Sequence, residues 1–112
     1  MTFHEFTERN VRRCEAQTGF NHKLSSWTLS DWMLAVTGEL GEAANIAKKL
    51  NRVRDGIPGN TESEESLRAK LRREIADTYI YLDLVCASQG IDLETAIAEV
   101  FEAKSRQIGY IE

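Results

Sequence analysis

Apolar residues recur at helical spacing in four stretches of the chain, and nowhere do they alternate as a strand requires. Phe3, Phe6, Val11 and Cys14 follow the capping box Thr2-x-x-Glu5 and predict a first helix ending near Gly19. After the polar loop FNHKLSSW, Thr28-x-x-Asp31 and Ser30 offer overlapping caps for a second helix running to about Arg54. DGIPGN, with the only proline, breaks the chain. Thr61-x-x-Glu64 predicts a third helix from about Glu62 to Gln89, stopped by Gly90. Asp92 predicts a cap for a fourth, Leu93 to about Ile108. The expectation is a single all-α domain over 1–112, bundle-like, with the two middle helices long and antiparallel.

The third helix carries more apolar surface than such a domain can cover. Ile75, Tyr79, Ile80, Tyr81, Leu82, Leu84 and Val85 point in nearly every direction around it. A helix apolar on all sides is buried on all sides. Three neighbours leave one side wet, so the pattern predicts a second subunit as the cover, in a homodimer or a dimer-of-dimers tetramer.

Composition narrows the class. With 42% hydrophobic and 29% charged residues, the chain has the make-up of a soluble globular protein. No apolar run reaches the length needed to cross a bilayer, and the charged N-terminus does not read as a secretory signal. No membrane association is expected. A net charge of −4, with no standout basic block, argues against a nucleic-acid polymer as partner. Cys14 and Cys86, far apart and outside any Cys-x-x-Cys, read as reduced thiols of a cytoplasmic protein.

The second helix poses a chemical question. VTGELGEAAN places Gly38 and Gly41 beside Glu39 and Glu42, although each interior glycine costs about 1 kcal/mol relative to alanine. Acidic pairs three residues apart are common by chance; about three are expected at this composition. Five occur: Glu5/Glu8, Glu39/Glu42, Glu62/Glu65, Glu74/Asp77 and Glu99/Glu102. The first, third and fifth lie in charged surroundings and read as solvated helix faces. The other two lie among apolar residues, where an unpaired carboxylate costs several kcal/mol. Two carboxylates at i and i+3 share a helix face, so each pair can aim at one spot. Four converging carboxylates without histidine suit a hard cation, Mg²⁺ or its substitute Mn²⁺. The glycines would let a neighbouring helix or a ligand come close. The competing reading is a buried ionic network neutralised by Arg72, Arg73, Lys48 and Lys49. Beyond Glu42, the stripe Asn45, Lys49 and Arg52 would suit the phosphate tail of a metal-bound ligand.

GELGE, Asn45, Lys48-Lys49 and Arg52, followed by EIADTYIYL (Glu74–Leu82) and GIDLETAIAEVFEAK, resemble the MazG-type nucleotide pyrophosphohydrolases. These belong to the all-α NTP pyrophosphatase superfamily. The resemblance spans roughly Trp27 to Tyr110. It implies Mg²⁺-dependent hydrolysis of (deoxy)nucleoside triphosphates to monophosphate and pyrophosphate, in nucleotide-pool housekeeping. Carried over by position, Glu39, Glu42, Glu74 and Asp77 would ligate metal, and Glu42 would also activate water. Asn45, Lys49, Arg52, Tyr81 and Trp27 would bind substrate, with Phe20 and His22 as further candidates for stacking on the base. The chain departs from many relatives in having Gly38 where they carry another glutamate. It also has only Lys104 and Arg106 as counterparts of their closing Lys/Asn pair. Rival readings are a non-enzymatic oligomeric helical module, a related dUTPase or phosphoribosyl-ATP pyrophosphohydrolase, and a di-iron carboxylate bundle. The last needs Glu-x-x-His pairs, and His4 and His22 lie outside both acidic motifs.

Overall fold

A computed structural model describes Met1–Glu112. The chain is all-α: α1 is Phe3–Glu15, α2 Leu29–Asp55, α3 Glu64–Ser88 and α4 Leu93–Ile108, with a 3₁₀ turn at Leu24–Ser26 and no strand.

The helix boundaries follow from local chemistry. At α1 and α2 both capping boxes form: the Thr2 hydroxyl accepts from the Glu5 amide while Glu5 accepts from the Thr2 amide, and Thr28 and Asp31 repeat the exchange. Each box satisfies two of the amides a helix start leaves without partners. Gly56 ends α2 in the left-handed conformation at φ 67°, its amide reaching back to the Arg52 and Val53 carbonyls. Asp92 precedes α4, but its carboxylate accepts from the Thr95 hydroxyl at 3.0 Å instead of capping a backbone amide.

The start of α3 differs from expectation. Thr61 does not cap it; the Ser63 hydroxyl does, accepting from the Ser66 amide at 3.1 Å, and the helix begins at Glu64. Glu62 therefore lies before the helix and is not part of a solvated face with Glu65. It is half-buried and pairs with Lys70 Nζ at 2.5 Å, which holds its carboxyl below the ordinary carboxylate range.

The chain groups into two compact units. One is Met1–Trp27 with Asp83–Glu112; the other is Thr28–Leu82. The first buries Asn10 and Cys14 of α1 together with Asp83, Leu84, Val85 and Cys86 of α3. Both cysteines are free, and burial pushes both thiols up. The second unit is a hairpin of α2 and α3. Trp32, Val36, Ala43 and Ile46 form the buried stripe of α2, and Leu67 is wholly buried on α3. The hairpin is antiparallel: Glu42 lies against Glu74, and further out Lys49 lies close enough to Glu62 to lower its pKa.

Burial of α3 is incomplete along its length. Leu84 and Val85 are buried, Tyr79 to Leu82 are half-buried, and Ile75 is exposed. Exposed apolar residues also line one face of α4, where Ile97, Val100, Phe101 and Ile108 fall at helical spacing. No helix is long and apolar enough to cross a membrane.

Candidate metal centre

The buried stripe of α2 does not run apolar throughout. Between Val36 and Ala43 the position facing inward is Glu39, which is half-buried. Glu42, one turn on, lies about 60° off the stripe and is exposed. The expectation that both α2 carboxylates are embedded thus holds only for Glu39. On α3 the positions facing the hairpin partner continue from Leu67 through Leu71 to Glu74, with Asp77 beside it; both acids are half-buried.

These acids meet. Carboxylate oxygens of Glu39, Glu74 and Asp77 all lie within 4.8 Å of one another. Glu42 is close enough to Glu74 for a hydrogen bond if either carboxyl keeps a proton. That contact raises the Glu74 pKa first, with burial and the Glu42 charge adding to it; Arg73 opposes the rise. Burial raises the Glu39 pKa, and the charges of Glu42, Asp77 and Glu74 raise it further. Like charges crowded together favour the protonated form.

The cationic side chains that could neutralise this group do not close on it. None of the four acids makes an ion pair: every ion pair within 4.0 Å lies elsewhere, at His4, Arg54, Arg68 and Lys70. Glu74 also carries an oxygen, Oε2, shielded from solvent and without a hydrogen-bond partner. Three clustered carboxylates, one of them with a shielded oxygen that no donor reaches, are an environment a hard cation relieves, so the donor set fits Mg²⁺ or Mn²⁺.

The expected substrate residues fall in both compact units. Lys49 and Arg52 are half-buried and line a recess of about 90 Å³ with Gly59, Asn60, Thr61, Glu62 and Leu67. Asn60 donates from Nδ2 to the Lys49 carbonyl at 2.8 Å, fixing the loop to the end of α2. Seven residues of helix, about 10.5 Å, separate Lys49 from Glu42. Asn45 is exposed and Tyr81 half-buried. Trp27 and His22 belong to the other unit, where their rings meet edge to face with centroids 4.6 Å apart. Phe20 there lies under the Arg13 guanidinium.

The two glycines do not serve a close approach within the chain. A Cβ added at Gly38 or Gly41 would meet nothing within 4 Å. No neighbouring helix of this chain presses on them, which corrects that part of the expectation; both glycine positions face open space.

Sequence reasoning missed Asp83. It is 2% exposed, accepts from Thr7 Oγ1 at 2.6 Å and from Asn10 Nδ2 at 3.0 Å. The signal was a lone acid inside the apolar run YIYLDLV.

Comparison with protein-family models, with curated proteins and with solved structures gives no match to this chain.

Proposed function

We propose that the chain is a Mg²⁺-dependent nucleoside triphosphate pyrophosphohydrolase whose metal ligands are Glu39, Glu42, Glu74 and Asp77. One observation carries the reading. Carboxylates from two antiparallel helices converge without a single ion pair, and one of their oxygens is shielded and unbonded. The resemblance of GELGE and EIADTYIYL to MazG-type enzymes supports the same reading from the sequence.

Bound there, a divalent cation would neutralise phosphoryl charge and lower the pKa of a water nucleophile. The rest falls to the chain's own side chains. Glu42 is the one exposed member of the group, and so the carboxylate placed to accept a proton from the attacking water. The open space at Gly38 and Gly41 leaves room for substrate beside it. Lys49 and Arg52 are the cations of α2 that would neutralise phosphate oxygens beyond the metal. Phosphoryl transfer asks little covalent chemistry of a protein, so positioning and charge suffice.

Self-association belongs to the same proposal. The exposed apolar face of α4 and the exposed Leu34 and Leu40 of α2 support a homodimer or a tetramer built from dimers. These surfaces equally favour the second reading, a helical interaction module without catalysis.

A panel of canonical and modified nucleoside triphosphates with Mg²⁺, scored for pyrophosphate against orthophosphate, separates these readings. Pyrophosphate with a nucleoside monophosphate is the expected product. Orthophosphate alone would refute α–β cleavage, and no release from any nucleotide would favour the interaction module.

A further inference from the structure

One recess in the Met1–Trp27 segment is built around three arginines. Arg9, Arg12 and Arg13 lie at i, i+3 and i+4 on α1, one face of the helix. With Phe6, Ala16, Thr18 and Gly19 they line a cavity of about 490 Å³, within the size range of small-molecule sites.

None of the three arginines makes an ion pair with a carboxylate. Partners stand at the right spacing on the same helix: Glu5 is four residues before Arg9, and Glu8 four before Arg12. Glu5 is instead committed to the cap of α1. Arg9 spends one N–H on the sulfur of Met1 at 3.2 Å, a weak acceptor. Arg13 lies over the Phe20 ring, its guanidinium carbon 5.5 Å from the centroid. Contact with a ring face engages the flat side of the group and leaves its N–H edge for an oxyanion. Like charges at i, i+3 and i+4 of one helix disfavour one another, and none of the three arginines has a carboxylate within 4.0 Å. The helix dipole offsets part of that repulsion for Arg12 and Arg13 in the last turn. It does nothing for Arg9, a turn earlier.

The Thr18–Gly19 part of the lining is held by backbone. After α1 the chain folds back on itself, with the Phe20 amide bonded to the Arg13 carbonyl and the His22 amide to the Cys14 carbonyl. Gly19 sits so close that an added Cβ would collide with the Arg13 carbonyl. The recess thus combines a fixed rim, an apolar floor from Phe6 and Ala16, and unspent cationic donors.

We propose that this cavity binds a small organic phosphate, its oxyanion on Arg9, Arg12 and Arg13 and its apolar body against Phe6 and Ala16. The probes are phenyl phosphate, inorganic phosphate and phenol, titrated into the full chain and followed by backbone amide shifts at fixed ionic strength. Phenyl phosphate is expected to saturate with shifts confined to residues 6–20, and to bind more tightly than inorganic phosphate or phenol. Arg12→Gln and Arg13→Gln should each weaken it about tenfold, the loss of one hydrogen bond to a charged group. Arg12→Lys should keep the charge, lose the planar fork and fall between. All three positions are exposed, and unchanged thermal melts of the variants confirm that folding is retained. Glu39→Gln should leave phenyl phosphate binding intact, so failure of the nucleotide reading and failure of this one are separable. Binding that survives the Arg12→Gln/Arg13→Gln double variant would overturn the assignment. So would absence of saturation at millimolar phenyl phosphate, or arginine-dependent binding of a single-stranded oligonucleotide in its place.

Discussion

Asn10 donates from Nδ2 to Oδ2 of Asp83 at 3.0 Å, tying α1 to α3 across 73 positions of sequence. Both side chains are buried, and Thr7 closes the other carboxylate oxygen. Truncating one partner of a buried polar pair leaves the other unsatisfied, which costs more than the bond itself contributes. Asp83→Ala should therefore destabilise the chain by about 2–4 kcal/mol, combining lost hydrogen bonds with a cavity. Asp83→Asn keeps one acceptor oxygen and should lose less. Urea unfolding of both variants checks this, and a loss under about 1 kcal/mol for alanine would show that the contact is not structural.

Adding Mg²⁺ should stabilise the wild type. A cation that binds only the folded chain contributes about 2.7 kcal/mol at a hundred times its dissociation constant. The melting temperature should therefore climb with Mg²⁺ concentration and stay flat in a Glu39→Gln/Asp77→Asn double variant. An equal rise in both would indicate nonspecific screening.

Without divalent ions, the pH dependence has a definite sign. The folded chain holds Glu39 and Glu74 above their ordinary value of 4.5. The folded state then binds more protons than the unfolded state, so stability falls as pH rises from that value through the raised pKa values. Glu62 and Asp55 are shifted downward; their contribution is lost only on acidification below the ordinary range. In EDTA, the unfolding free energy should drop as the pH rises above 4.5, and Glu39→Gln should flatten that drop. A wild type that gains stability over this interval would contradict the crowding of these acids.

Neutralising single carboxylates should separate activity from folding. Glu42→Gln and Asp77→Asn are expected to lower pyrophosphate release by about two orders of magnitude or more. Each should leave the fold intact or slightly stabilised, because crowded like charges are relieved. Release within a few-fold of wild type, from either variant, would remove that residue from the site.

The sequence made some of this legible and hid the rest for identifiable reasons. Thr2 and Thr28 announce their helices because a capping box is a local contract between residues three apart. At α3 several hydroxyls compete; Ser63 caps rather than Thr61, and Glu62 pairs with Lys70 eight residues on, a contact that capping patterns do not record. Periodicity and apolar context singled out Glu39, Glu42, Glu74 and Asp77, three of which meet within 4.8 Å. The same reasoning overstated the burial of Glu42, since a helical wheel gives direction but not what stands opposite. Asp83, and the three arginines of α1, escaped it because their meaning depends on partners far away in sequence or missing.

The most direct test of the carboxylate centre is a Mn²⁺ titration of the wild type and of Glu39→Gln/Asp77→Asn, with free ion read by electron paramagnetic resonance. Saturable Mn²⁺ uptake by the wild type, displaced by Mg²⁺ and lost in the double variant, is the predicted result. Equal uptake by both proteins, or none by either, would contradict it.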